Sequence, residues 1–141
     1  LNEPSLINSL LKEISEIKIK EYMTAFNESN FKKSANSIIE FANSANLFLN
    51  ERAPWKLIKD KSNYEIVAHD IYSVLESCRL IGILMIPFVP DLSNRILRQL
   101  NIDTSSITFK NSLEWGLLNP NTLLNDPLPV MDKIEFNESV I

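Results

Sequence analysis

Apolar residues recur along the first two thirds of the chain at spacings of three and four, the signature of helices that bury one face. Ile7, Leu10, Leu11, Ile14, Ile17, Tyr22 and Phe26 make the first stripe, between Pro4 and the polar run Asn27-Glu28-Ser29-Asn30. Ser29 or Asn30 can cap a second helix, in which Phe31, Ala35, Ile38, Ile39, Ala42, Ala45 and Leu49 form a stripe reaching Glu51. Pro54 must end that helix, since an interior proline loses a hydrogen bond and clashes, whereas a first-turn proline does neither. A short turn is therefore predicted at Trp55-Lys56-Leu57-Ile58, with Trp55 on a corner. A third long helix is predicted from about Ser62 to Ile86. It would carry Tyr64, Val67, Ala68, Ile71, Leu75, Cys78, Ile81 and Met85 on one face, and its second half is apolar all round, as befits the middle of a bundle. Pro87-Phe88-Val89-Pro90 is a hard stop. Leu92, Ile96, Leu97 and Leu100 then make a short fourth helix, with Arg95 and Arg98 toward its dipole-favoured end.

Beyond Asn101 the signal weakens. Asp103 to Lys110 is rich in Thr and Ser, and the tail from Leu117 carries Asn-Pro, Asp-Pro and Leu-Pro steps, so turns and extended segments are expected after at most one more short helix. The expected fold class is all-α, a bundle of about four to five antiparallel helices. One domain is expected over residues 1–141, with the bundle over about 5–101 and an irregular tail over about 102–141. There is no internal repeat and no low-complexity stretch.

Composition narrows the chemistry more than the fold. With 141 residues, 45% of them hydrophobic, the chain suits one packed core. Its net charge of −4 does not advertise nucleic-acid binding, so any contact with RNA must come from a local patch. Cys78 is the only cysteine and His69 the only histidine, which excludes a disulfide framework, a Cys/His zinc site and a Cys–His nucleophile pair, and suits a reducing compartment. Cys78 lies on the apolar stripe and reads as core, and His69 reads as a surface or boundary residue without a role. Glu13/Glu16 and Asp60/Glu65 read as solvated faces, because nothing implies a pocket that would tune a carboxyl group for acid–base work. Trp115-Gly116 reads as a turn packing back on the core. Gly82 and Gly116 are the only glycines, so a glycine-rich phosphate loop is excluded, and with it ATP binding of the P-loop or dinucleotide-fold type. The longest apolar run, Leu80 to Ile86, falls well short of the ~20 residues of a membrane span. The chain begins at Leu1 with no secretory signal, and is expected to be a piece of something longer.

One segment carries more than periodicity. Ala45-Asn46-Leu47-Phe48-Leu49-Asn50-Glu51-Arg52-Ala53-Pro54-Trp55-Lys56-Leu57 resembles the signature of the methionyl-tRNA synthetase anticodon-binding domain, in which Ala-Asn, an aromatic, an acidic residue and Ala-Pro-Trp follow in that order. Ile86-Pro87-Phe88-Val89-Pro90-Asp91 resembles the punctuation that ends that family's long helix. Leu113-Glu114-Trp115-Gly116-Leu117-Leu118 is similar to its Trp-Gly-Leu-Leu segment, and Pro127-Leu128-Pro129 through Lys133-Ile134-Glu135 to its terminal element, which folds back toward the catalytic domain. The resemblance covers roughly residues 20–136. There are departures: the family's Asn-x-x-x-Arg pair has no counterpart before Tyr22, and Asn50 stands where an aspartate is common.

The resemblance implies an anticodon-binding bundle that recognises the CAU triplet in the service of methionine attachment. It implies that Trp55 stacks on an anticodon base, with Asn46, Asn50 and Pro54 as further anticodon-binding residues. Physically, a rigid aromatic on an exposed corner suits an unstacked base; from the residues alone, Trp55 packed beneath the bundle is an equal alternative. Arg52, Lys56, Lys59 and Lys61 outnumber Glu51 and Asp60 around it and are candidates for phosphate contact. No catalytic residue, metal or cofactor is expected in this stretch; the parent enzyme, a methionine–tRNA ligase, uses ATP. The implied partners are tRNA and the catalytic domain of the same chain, with neither membrane nor DNA, and the implied compartment is the cytoplasm or an organelle interior. Two other readings stand beside this one. One is a helical protein–protein interaction module docking through the stripe at residues 6–17. The other is the anticodon domain of a related synthetase, for valine, isoleucine, leucine or cysteine, against which the Ala-Pro-Trp turn speaks.

Overall fold

The computed structural model describes residues 10–132. Ile7 of the first stripe and the closing Lys133-Ile134-Glu135 lie outside the described residues. The elements are α1 (Leu10–Asn27), α2 (Phe31–Arg52), α3 (Pro54–Leu57), α4 (Tyr64–Leu84), α5 (Pro90–Gln99) and α6 (Phe109–Ser112), with 3-10 turns at Lys61–Asn63 and Thr104–Ser106. No strand occurs among the described residues, and the all-α bundle is as expected.

Local chemistry sets each boundary. Ser29 takes the left-handed conformation (φ 58°) that ends α1, with Asn30 N–H donating to Ala25 O at 2.8 Å and Ser29 N–H to Phe26 O at 3.0 Å. Asn30 then caps α2, its Oδ1 accepting Lys33 N–H at 3.1 Å. Pro54 starts α3 and Pro90 starts α5, each in the first turn, where a missing N–H costs nothing. Asp60 accepts Ser62 N–H at 2.9 Å to open the turn into α4, and this bond holds its carboxyl below the usual range.

Helix α4 is the centre: α1, α2, α3, α5 and α6 all pack on it. The main core joins Tyr22, Ile38, Phe41, Leu80, Ile81 and Leu84, with Trp115 packed against it. Tyr22 is ringed by Phe26, Phe88 and Phe109 at centroid distances of 5.7, 6.3 and 6.4 Å. Its hydroxyl donates to Leu84 O at 3.0 Å, supplying a partner for a carbonyl that α4 leaves orphaned at its last residue. Tyr72 repeats the device on the tail, donating to Leu118 O at 2.8 Å. Gly82 lets α5 approach α4 closely, since a Cβ there would meet Leu97 side-chain carbon at 3.1 Å.

The stripes need correction on three helices, α1, α2 and α4. Ile17 and Ile39 are 57% exposed, and Tyr64 and Ile71 of the expected α4 face are exposed too. In their place Asp70, Ser73, Glu76, Ser77 and Arg79 are buried. A helix packed on several sides cannot keep one apolar face, and it can bury polar groups wherever they are paired. Ser73 and Ser77 donate to the carbonyls one turn back, and Glu76 and Arg79 satisfy each other.

That pair organises the tail. Arg79 Nε and Nη2 donate to Glu76 Oε2 and Oε1 at 2.8 and 2.7 Å, and its Nη1 and Nη2 reach Ser112 O and Glu114 O at 2.6 and 2.7 Å. The Glu76 carboxylate also accepts the N–H groups of Gly116, Leu117 and Leu118 at 2.7, 3.1 and 3.1 Å. Gly116 has φ 93°, a conformation only glycine adopts readily, and it turns the backbone around the carboxylate. Farther on, Arg95 Nη1 donates to Val130 O at 3.1 Å, Gln99 Nε2 donates to Leu128 O, and Asn125 N–H donates to Gln99 O at 3.1 Å, so the tail runs along α5.

Burial pushes the phenols of Tyr22 and Tyr72 from 10.0 up to about 12. In the unfolded chain they ionise at the ordinary value, so the folded state holds their protons over that interval. Stability that is full below pH 10.0 should therefore fall as pH rises toward about 12. Urea unfolding at stepped alkaline pH checks this: Tyr22→Phe should lose less stability over the interval than the unaltered chain, and equal slopes would contradict the assignment.

Candidate nucleic-acid interface

The corner is built by a helix that ends and another that starts with a single residue between them. Ala53 has φ 43° and ψ 58°, left-handed, and its N–H donates to Leu49 O at 3.0 Å to close α2. Pro54 follows as the first residue of α3, and it is buried. A left-handed alanine is uncommon and costs roughly 1 kcal/mol against its preferred regions. Ala53→Gly is accordingly expected to raise stability by about 0.5 kcal/mol, after the greater freedom glycine gives the unfolded chain is subtracted. Denaturant midpoints measure it, and a lower midpoint for the glycine variant would contradict the strain.

Trp55, the second residue of α3, is 52% exposed and joins no aromatic pair among the described residues. Of the two orientations open from the residues alone, the solvent-facing one is found. The indole stands on the four-residue α3, which Ala53 and Pro54 start. Pro54, expected among the anticodon-binding residues, is buried and frames the bend on which Trp55 stands. Asn46 and Asn50 are both exposed and lie one turn apart on α2. Asn50 Nδ2 donates to Asn46 O at 3.0 Å, using one of its amide hydrogens and leaving the rest of the amide for a partner. Asn46 also stands on the rim of an apolar groove of about 460 Å³ walled by α2, α4 and α5, with Val130 of the tail at its edge.

The basic residues divide. Lys56, Lys59 and Lys61 are exposed and belong to no ion pair among the described residues. Arg52 differs, for its Nε donates to Asp70 Oδ2 at 2.7 Å. The net positive charge of the corner is thus smaller than a count along the sequence suggests, since Asp70 comes from the next helix. Sequence reasoning missed Asp70. The available signal was an acid three residues after Val67, on the side of α4 that faces α2.

The remaining candidates take the places expected of them. Cys78 is partly buried against the cluster of Tyr72, Leu100 and Leu118, and burial pushes its thiol up, away from the nucleophilic thiolate. His69 is a boundary residue with Nδ1 3.9 Å from Asp70 Oδ1. Glu13, Glu16, Asp60 and Glu65 are exposed. No helix of the described residues is long and apolar enough to cross a membrane.

Residues 3–139 match the family model described as the anticodon binding domain of methionyl tRNA ligase. The chain is 31% identical over 116 residues to methionine–tRNA ligase of a Nostoc species, covering 78% of this chain and 22% of that protein. It is 36% identical over 105 residues to the Caldanaerobacter subterraneus ligase, covering 74% and 16%. To the chloroplastic/mitochondrial ligase of Arabidopsis thaliana it is 30% identical over 131 residues, covering 90% and 21%. The chain therefore spans about a fifth of the length of these relatives. The matches favour neither a general interaction module nor the domain of a synthetase for another amino acid. On the all-helical fold, the Ala-Pro-Trp bend and a match running nearly end to end, the chain belongs to the family of methionyl-tRNA ligase anticodon-binding domains.

Proposed function

We propose that this chain binds the anticodon loop of a tRNA bearing CAU, with Trp55 stacked on an unpaired base. The observation that carries the reading is the half-exposed indole on a proline-started bend, at the position where the family motif has its tryptophan. Stacking needs a π-face and little else, and a pre-set ring loses little freedom when a base settles on it. Asn46 and Asn50 offer amides to base edges, and Lys56, Lys59 and Lys61 offer ammonium groups to phosphates. Activation of methionine with ATP, and its transfer, belong in this reading to a catalytic domain of the same protein, which is also the partner the terminal segment would meet. The working compartment is the cytoplasm or an organelle interior, where the substrate tRNA is found.

The chain has two tryptophans, so Trp115→Phe leaves Trp55 as the only indole. Its fluorescence should be quenched by a CAU stem-loop, and less by a loop with another anticodon. Three single-strand phosphate contacts give a slope of about −2 in log affinity against log salt. An emission spectrum indifferent to the stem-loop at low salt would end the proposal.

A further inference from the structure

Asp70 is part of α4, yet its carboxylate does its bonding at the corner. The residue is only 3% exposed, and a carboxylate removed from water is retained at a cost unless it is well paired. Its Oδ2 accepts the Nε–H of Arg52 at 2.7 Å, while Oδ1 lies 3.9 Å from Nδ1 of His69. Arg52 closes α2, and Trp55 follows three residues later, so the two side chains start no more than about 11 Å apart along the chain. A guanidinium is a planar fork of five N–H donors. Gripped at Nε, it has both terminal amino groups left over: neither makes a hydrogen bond among the described residues, and 43% of the side chain is exposed.

We propose that Asp70 is a positioning residue for RNA binding: by holding Nε of Arg52 it presents the two terminal amino groups as a fork for a phosphodiester beside the base stacked on Trp55. This rests on the reading of Trp55 given above. A free surface arginine must surrender its rotamers to bind, whereas one already locked by a buried acid has surrendered most of them on folding.

The sign of one substitution tests the idea. Asp70→Asn removes a negative charge from the RNA-facing corner, so charge alone makes binding tighter. Positioning requires the opposite, a CAU stem-loop bound roughly tenfold more weakly. Arg52→Ala should lose a similar factor, and the double variant should bind no worse than Arg52→Ala alone. Arg52→Lys keeps the charge without the fork and should also lose roughly tenfold, and it decides the matter by itself if circular dichroism finds the Asp70 variant unfolded. Binding by folded Asp70→Asn as tight as the unaltered chain or tighter, or full binding by Arg52→Lys, overturns the proposal. Trp55→Ala measured alongside separates the two claims. A loss there with none at Asp70 removes only the positioning role; no loss at either removes the RNA reading itself.

Discussion

Glu76→Ala is expected to lower the unfolding free energy by about 3–5 kcal/mol, the cost of breaking a buried ion pair and leaving one charge unmatched. Glu76 has no exposed surface, and its carboxylate is the acceptor for Arg79 and for the N–H groups of Gly116, Leu117 and Leu118. Truncation strands a guanidinium that is itself buried and removes the partner of three backbone donors at once. Glu76→Gln keeps the shape but aims an amide N–H₂ toward donors, so it should also be destabilising. As a control, Glu65→Ala at an exposed position should stay within about 0.5 kcal/mol. Denaturant unfolding measures all three, and because the segment from Ser112 to Leu118 hangs on this carboxylate and on the Arg79 guanidinium it pairs with, proteolytic cleavage there should rise most in the alanine variant. A Glu76→Ala chain as stable as the unaltered one would mean that the network does not hold the tail.

For Trp55→Ala the expected result is opposite in kind: folding unchanged, binding weakened. Removing a stacking aromatic costs about 1–3 kcal/mol per base, roughly a five- to 150-fold loss of affinity for the CAU stem-loop. The ring is half exposed at the bend and outside the core clusters, so melting should move little. Trp55→Phe keeps a smaller π-face and should recover part of the loss, whereas Trp55→Leu, apolar but not aromatic, should not. Isothermal titration of the three variants orders them, and an order that follows hydrophobicity instead of aromaticity would point to a packing role for the indole.

Much of the architecture was legible because its boundaries are enforced by single residues. Pro54, Pro90 and Asn30 act through fixed backbone geometry or a local hydrogen bond, and such effects depend on near neighbours alone. Trp55 was legible in part: the motif and the prolyl turn place it on a corner, but the residues alone left its ring as open to packing beneath the bundle as to facing solvent, and only the fold decides for solvent. What escaped was set by distant partners. Glu76 and Arg79, three residues apart on a helix, look like a solvated pair, and nothing within a turn of them reveals that their donors and acceptors lie up to 42 residues away. Asp70 escaped for the same reason, since Arg52 reaches it from another helix. Ile17 and Ile39 misled in the other direction, because periodicity identifies which residues share a face without saying whether a neighbour covers it.

The attachment of the tail to α5 bears on how the molecule tolerates mutation. Arg95 and Gln99 reach for main-chain carbonyls of Val130 and Leu128, and those carbonyls exist whatever side chain the tail carries. Substitutions at the exposed Leu128 should therefore leave the tail's path intact, while the same path is vulnerable to changes at two side chains on a helix that precedes it. Sequence drift and geometric constraint thus fall unevenly: at Leu128 and Val130 the strap is read through its backbone and can vary in chemistry, whereas Asn125, whose Nδ2 donates to Arg98 O at 2.5 Å, is held by its side chain.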